Sequence, residues 1–233
     1  ESIVELNAPP VCQYENANNK PTLTMKTRIF NLIIIDESGS MQSIKKAAID
    51  SVNETIQTIR SAEQKHPEQE HYVSLVSFND DVKTIYDCVE VEQVTEINDE
   101  TYQPSCCTAL YDAMGISLSK LRKRVAESDK VLVTVVTDGY ENSSKEYSGK
   151  AIKTLVDELK AKGWVFAYIG ANQDVEAVAA TISITNVIQF EASAMGTQEM
   201  TERENRGRMR LYEAIAADHF DSKSANESFF DEI

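Results

Sequence analysis

Two short loops and one threonine carry most of the chemistry this sequence offers. Asp36-Glu37-Ser38-Gly39-Ser40 follows the apolar run Phe30–Ile35, and Thr137-Asp138-Gly139 follows the apolar run Val131–Val136. Thr108 stands at the start of a third apolar pattern. Asp36, Ser38, Ser40, Thr108 and Asp138 are all oxygen donors, which suits a hard cation. Mg²⁺ fits best, with Mn²⁺ or Ca²⁺ as alternatives; soft metals would ask for Cys or His. Ser38 and Ser40 alternate by two along the loop, so both hydroxyls can reach one point. Mg²⁺ takes about six oxygens and usually keeps several waters, so a few protein donors suffice. The positive end of a following helix opposes a cation there. Asp36 and Asp138 offset that repulsion.

The donors sit at the ends of elements with regular patterning. Phe30–Ile35 is nearly continuous apolar sequence and reads as a strand buried on both faces. Met41, Ile44, Ala48, Val52, Ile56 and Ile59 follow at helical spacing. Tyr72–Phe78 and Val82–Val91 flank Asn79-Asp80-Asp81 and predict a hairpin. Leu110, Met114, Leu118, Leu121 and Val125 predict a helix opened by Thr108; Val131–Val136 predicts a second buried strand. A helix over Ile152–Leu159 stops at Gly163, and Trp164–Ile169 predicts a third strand. A short helix at Val175–Ala180, a strand at Val187–Phe190 and a helix over Gln198–Ala217 complete the series.

Strand and helix in alternation imply an α/β fold of three layers: a mainly parallel, Rossmann-like sheet with helices on both faces. The hairpin adds one antiparallel strand at an edge. Ligands in such sheets bind beyond the carboxyl ends of the strands, where the strand order reverses. The loops Asp36–Met41, Asn79–Asp81, Asp138–Ser148 and Gly170–Asp174 lie there. Residues 1–26 read as an N-terminal extension, 27–192 as the domain, and 193–233 as a C-terminal helix and acidic tail packing on or extending it. The end of that tail, Glu227–Ile233, is expected to be mobile.

Composition narrows the function classes. The 233 residues carry 23 Lys plus Arg against 38 Asp plus Glu, a formal charge of -15. That balance argues against nucleic acid, which demands a basic surface, and against an anionic membrane. No apolar run approaches the ~20 residues of a membrane span. The start of the sequence has no signal-peptide core, although it also lacks an initiator Met, which leaves a removed leader open. Four cysteines in a chain of this size do not make a disulfide framework, and a reducing, cytoplasmic setting is expected. His66, His71 and His219 fall outside every motif and are read as surface or strand-start residues.

Asp-x-Ser-x-Ser after the first strand, a Thr opening a middle helix and Thr-Asp-Gly after the fourth strand resemble the von Willebrand factor type A (vWA) domain, the fold of integrin inserted domains. The resemblance spans about Arg28–Phe190 in element order. It implies a sheet order of third, second, first, fourth, fifth, sixth strand. It also implies a metal-ion-dependent adhesion site (MIDAS), with Ser38 and Ser40 on the cation, Thr108 direct or through water, and Asp36 and Asp138 mainly through water. The function implied is cation-dependent binding of a protein partner that presents an Asp or Glu carboxylate, with no catalysis. Glu37, Tyr111, Tyr140, Glu141 and Asn142 would line the partner-binding rim. The style is that of a compact bacterial member, and a monomer is expected.

Departures from the pattern carry information too. Cys106-Cys107 stand where relatives commonly have glycine or other small residues. They are expected to be small buried thiols rather than a vicinal disulfide or redox switch, with Cys12 and Cys88 reduced. Two other functions compete with cation-dependent binding. One is a Mg²⁺-dependent phosphatase-like hydrolase using Asp36 as nucleophile, although Ser38 stands where such enzymes carry a second Asp. The other is a structural scaffold with an inactive metal site. Arg203, Arg206 and Arg210 share a helical face, read as solvated or paired with the protein's own carboxylates.

Overall fold

In the computed structural model, residues 26–171 and 174–231 are described. The N-terminal extension, Cys12 and residues 172–173 of the Gly170–Asp174 loop lie outside them. Six strands form one sheet: β1 (Thr27–Asp36), β2 (Gln69–Phe78), β3 (Val82–Glu90), β4 (Lys130–Thr137), β5 (Val165–Ala171) and β6 (Asn186–Phe190). The order is β3-β2-β1-β4-β5-β6, with only the β2–β3 pair antiparallel. The fold class, the edge hairpin and the strand order expected from the sequence are all present.

The helices are α1 (Lys45–Lys65), α2 (Leu110–Leu121), α3 (Gly149–Lys160), α4 (Val175–Thr181), α5 (Ala194–Ala216) and α6 (Ser222–Ser228). A 3-10 turn, Gly39–Ile44, leads into α1. Period-two alternation divides the strands between two cores. Ile29, Ile33 and Ile35 of β1 face α1 and α5, with Leu132, Val165, Ala167 and Ile169 beside them. Phe30, Leu32 and Ile34 face α2, α3 and α4, with Val133, Val135, Phe166 and Tyr168. Because both faces are covered, β1, β4 and β5 are buried almost throughout.

Local chemistry fixes the element ends. Ser148, Asp174, Ser193 and Asp221 cap α3, α4, α5 and α6 by accepting from backbone N–H groups. Gly163 ends the α3 region with φ of 88°, a left-handed conformation that suits glycine. α2 ends at Leu121, short of Val125, which still packs against the core.

The C-terminal end differs from expectation. Instead of a mobile tail, the chain folds back as α6, and Phe229 and Phe230 enter the core beside α5. Asn226 is the anchor: it accepts from Phe166 N–H at 3.0 Å and donates to Trp164 O at 2.8 Å. Close approach requires Gly207, since a Cβ there would meet Phe229 O at 2.4 Å. α6 thus closes the N-terminal ends of β5 and β6, opposite the sheet edge that carries the donor loops.

Candidate metal centre

Asp36 ends β1, Asp138 follows the last residue of β4, and the two strands are paired neighbours. The strand order reverses at this junction, where the general rule puts a ligand site. Asp36 is fully buried. Its Oδ1 accepts the Ser38 N–H at 2.7 Å and its Oδ2 accepts the Thr137 hydroxyl at 2.6 Å. Burial pushes its carboxyl up to about 6, although the Thr137 and Ser38 hydrogen bonds pull the other way. Burial also raises Asp138, opposed by a hydrogen bond from Ser40.

The hydroxyls converge on the same point. Ser40 Oγ donates to Asp138 Oδ1 at 2.5 Å, and Ser38 Oγ lies 3.1 Å from Ser40 Oγ. A Cβ built on Gly139 would lie 3.1 Å from Thr108 Oγ1, 3.7 Å from Ser40 Oγ and 3.8 Å from Asp36 Oδ2. Glycine therefore keeps this cradle open. All five expected donors, Asp36, Ser38, Ser40, Thr108 and Asp138, meet around it. Thr108 stands two residues ahead of α2 rather than opening it.

The donor set fits a hard cation. Every group is oxygen. Among the described residues neither Asp36 nor Asp138 takes part in an ion pair. Two carboxyls with raised affinity for protons and no cationic side chain against them make a place where positive charge is welcome. Among the described residues no group of three or more His, Cys, Asp or Glu is assembled for a metal. Hydroxyls make up the remainder of this cradle, so its negative charge comes from Asp36 and Asp138 alone.

Several surrounding residues hold the loops rather than face outward. Glu37, expected at the rim, is buried; its carboxylate accepts the Gln103 N–H, and its carbonyl accepts Ser105 N–H at 2.8 Å. Glu141, also expected at the rim, accepts N–H groups from Tyr111 (2.9 Å), Ser143 (2.9 Å) and Ser144 (2.8 Å). Asn142 and Thr108 bond reciprocally, Thr108 N–H to Asn142 Oδ1 at 2.9 Å and Asn142 N–H to Thr108 O at 3.0 Å. Tyr140, two residues after Asp138, is 56% exposed; Tyr111 is partly exposed, and its ring packs on the core with its tip against Gly149.

Three supporting residues lie outside the donor set that the sequence pattern marks. Thr137 bonds Asp36 directly, and its place in the Thr-Asp-Gly motif was the available signal. Tyr102 donates its hydroxyl to Asp36 O at 2.5 Å. Burial, then the charges of Asp36, Glu37 and Asp138, drive its phenol far up, so it remains a donor. Asp112 accepts three consecutive N–H groups, from Lys145, Glu146 and Tyr147, at 2.7–2.9 Å. An acid in the first turn of α2 was its signal.

Other expectations need correction. Cys106 and Cys107 are exposed free thiols, not buried ones, because their loop lies outside both cores. Cys88 is also free. His71 is wholly buried in β2, with Nε2 at 3.0 Å from Gln69 Oε1. Asp36 as a nucleophile also sits badly with the geometry: the side chain is sealed and both its oxygens are engaged by donors.

Fold and site together define a doubly wound α/β domain with an oxygen-donor cradle at the carboxyl end of its central strands. A family model of the von Willebrand factor type A domain matches residues 32–203, and the chain belongs to that family. A search of characterised proteins by sequence returned no match. Solved structures are similar in fold. Proximal thread matrix protein 1 from the mussel byssus superposes with a TM-score of 0.51 at 14% identity, covering 78% of this chain and 46% of that one. The vWF domain of the type V pili tip protein Mfa5 from Porphyromonas gingivalis gives 0.56 at 10%, covering 78% and 96%. The pilus adhesin SpaC from Lactobacillus rhamnosus GG gives 0.59 at 11%, covering 80% and 30%. The chain thus spans less than half the length of the mussel protein.

Proposed function

We propose that this vWA domain is a protein-interaction module that works through a bound divalent cation, Mg²⁺ in the first instance, with Mn²⁺ or Ca²⁺ able to replace it. The observation that carries this reading is the meeting of Ser38, Ser40, Thr108, Asp36 and Asp138 around the space that Gly139 leaves open. Ser38, Ser40 and Thr108 would hold the ion, with Asp36 and Asp138 supporting it mainly through water. The ion would supply a Lewis-acidic point able to accept one more anionic oxygen. Neutral hydroxyls cancel little of its charge, so a partner's Asp or Glu carboxylate is the matching ligand.

This chain's own residues do the positioning. Thr137 and the Ser38 N–H fix the Asp36 carboxylate, and Asn142 fixes the peptide that carries Thr108. Tyr140, next to Gly139, offers exposed aromatic contact area, a residue type favoured at interfaces. The charge of -15 repels acidic partners at a distance, so the acid must come on a shaped, otherwise basic surface. The names of two similar structures, a pilus adhesin and a pilus-tip protein, support an interaction role.

Thermal unfolding tests the reading, in EDTA and then in Mg²⁺, Mn²⁺ or Ca²⁺, for wild type and Asp138→Ala. A cation-dependent rise seen only in wild type supports it. No rise at concentrations that fill a weak site favours the plain scaffold.

A further inference from the structure

Cys106 and Cys107 are exposed free thiols whose Sγ atoms stand 3.7 Å apart. The backbone brings them there: Cys106 has φ of 64°, in the left-handed region where glycine is at home. A non-glycine residue held there is strained by roughly 1 kcal/mol or more. The same residue joins two halves of the cradle. Its carbonyl accepts the Gly39 N–H at 3.2 Å, between Ser38 and Ser40, and Thr108 lies two residues further on. The contact is close, since a Cβ on Gly39 would sit 3.4 Å from that carbonyl oxygen.

We propose that Cys106 and Cys107 form a reversible thiol–disulfide site, closed by a small disulfide of the glutathione type, and that closure pulls the 105–108 loop away from Gly39. One thiolate attacks the oxidant's sulfur; a mixed disulfide forms and one glutathione leaves as thiol. The second thiolate attacks the protein sulfur of that mixed disulfide; the Cys106–Cys107 bond forms and the second glutathione leaves. Two electrons pass to the oxidant, and the two thiol protons end on the two glutathiones.

Geometry links bond and loop. Consecutive Cα atoms lie about 3.8 Å apart, whereas relaxed disulfides span roughly 4.4–6.8 Å. The eight-membered ring therefore closes under strain, and bringing the two Sγ atoms together from 3.7 Å is expected to rotate the peptide between the two residues. The carbonyl of that peptide is the one holding Gly39 N–H, so turning it removes the acceptor. A strained bond of this kind is readily reduced, which makes the change reversible. The consequence for cation binding rests on the function proposed above; the bond and the loop change do not.

The experiment uses the full chain, free of metal, treated with glutathione disulfide and then with dithiothreitol. Cleavage after Glu, Lys and Arg releases residues 101–120, which contain only these two cysteines. That peptide is expected to lose two hydrogens and to regain them on reduction. Amide exchange at Gly39 is expected to quicken about tenfold in the oxidised form, as for loss of one hydrogen bond. Cys106→Gly keeps the left-handed backbone and cannot close the ring, so its Gly39 exchange should ignore the oxidant. Glutathione adducts without ring closure, or a closed ring with unchanged exchange, overturn the proposal. The cation response of the reduced protein is measured alongside. Its absence refutes the cation reading alone, and mass and exchange still decide the thiol site.

Discussion

Ser40 and Asp138 are joined by a 2.5 Å hydrogen bond although 98 residues separate them in the chain. The bond ties the loop after β1 to the loop after β4, the two loops that carry four of the five donors. Removing either partner should abolish cation binding while leaving both cores untouched. For wild type, a cation at 100 times its Kd adds about 2.7 kcal/mol. In a domain of this size each kcal/mol moves Tm by about 2–4 °C. Wild type should therefore gain roughly 5–10 °C over EDTA. Ser40→Ala and Asp138→Ala should gain nothing, with unchanged far-ultraviolet circular dichroism. A mutant that retains the rise would remove the cradle from the mechanism.

Asp36 carries a stability cost in the metal-free protein. It is fully buried, its carboxyl is pushed up to about 6, and among the described residues no cationic side chain pairs with it. Asn keeps the acceptor for Ser38 N–H and removes the charge. Asp36→Asn should therefore be more stable than wild type in EDTA at neutral pH, by about 1–3 kcal/mol. The same substitution should lose the cation response. Urea denaturation with and without Mg²⁺ measures both. A variant less stable than wild type in EDTA would mean that the carboxylate holds the loop better than its charge burdens it.

Asn142 tests whether the Thr108 loop is held from outside. Its reciprocal bonds with Thr108 couple the approach to α2 to the loop after β4. Asn142→Ala leaves the Thr108 N–H without its partner, at about 1–2 kcal/mol. Weaker cation affinity by calorimetry should accompany that loss, because Thr108 loses its position. Unchanged affinity would confine Asn142 to the partner-facing surface.

The sequence was most legible where pattern and burial coincide. β1, β4 and β5 are covered on both faces, so they read as continuous apolar runs, and Asp36 and Asp138 stand at the ends of two of them, β1 and β4. α6 was not legible because Ser222–Ser228 has no apolar stripe. It is held by Asn226 and by the two phenylalanines that follow, and long-range contacts of that kind leave no periodic trace. Glu37 and Glu141 looked like rim acids because nothing local shows that a carboxylate will meet backbone N–H groups from a distant loop. Arg208 is one of four arginines on α5, and local pattern does not separate it from the other three. Its signal was Asn31, a lone polar residue in a strand buried on both sides, which now lies 3.0 Å from the Arg208 guanidinium.

Arg208 and Glu204 form an ion pair sealed between α5 and the sheet. The guanidinium also donates to Asn31 Oδ1 (3.0 Å), Tyr212 Oη (3.1 Å) and Thr134 Oγ1 (2.9 Å). Burial favours the neutral form of Arg208, but the nearby Glu204 charge outweighs it and holds the guanidinium charged. Breaking one side should cost about 3–5 kcal/mol, since the other charge is then stranded. Arg208→Met alone should show that loss in urea denaturation. Adding Glu204→Leu should recover most of it. If the double variant is as unstable as the single, the pair's worth lies in orienting Asn31 and Thr134.

His71 should govern an acid-sensitive part of the stability. Burial drives its imidazole down to about 3, with Arg208 and His66 adding to the effect. The groups around it are Gln69 on its own strand, Tyr212 and Arg208 on α5, and Glu63 on α1, whose carboxylate accepts the His71 N–H. Among the described residues none offers the ring a negative partner: Glu63 is engaged by the backbone, and Tyr212 is itself pushed up to about 12 by burial. The unfolded chain takes up a proton near the ordinary value of 6.5, while the folded chain resists until about 3. Below pH ~6.5 the unfolded state therefore binds more protons, and stability falls with falling pH by up to ~1.4 kcal/mol per unit. Above that pH the group contributes no slope. His71→Gln, which cannot titrate, should flatten the profile between pH 6 and 4 by about one proton in urea denaturation. An unchanged slope would mean that the ring gains a proton in the folded protein as easily as in the unfolded one.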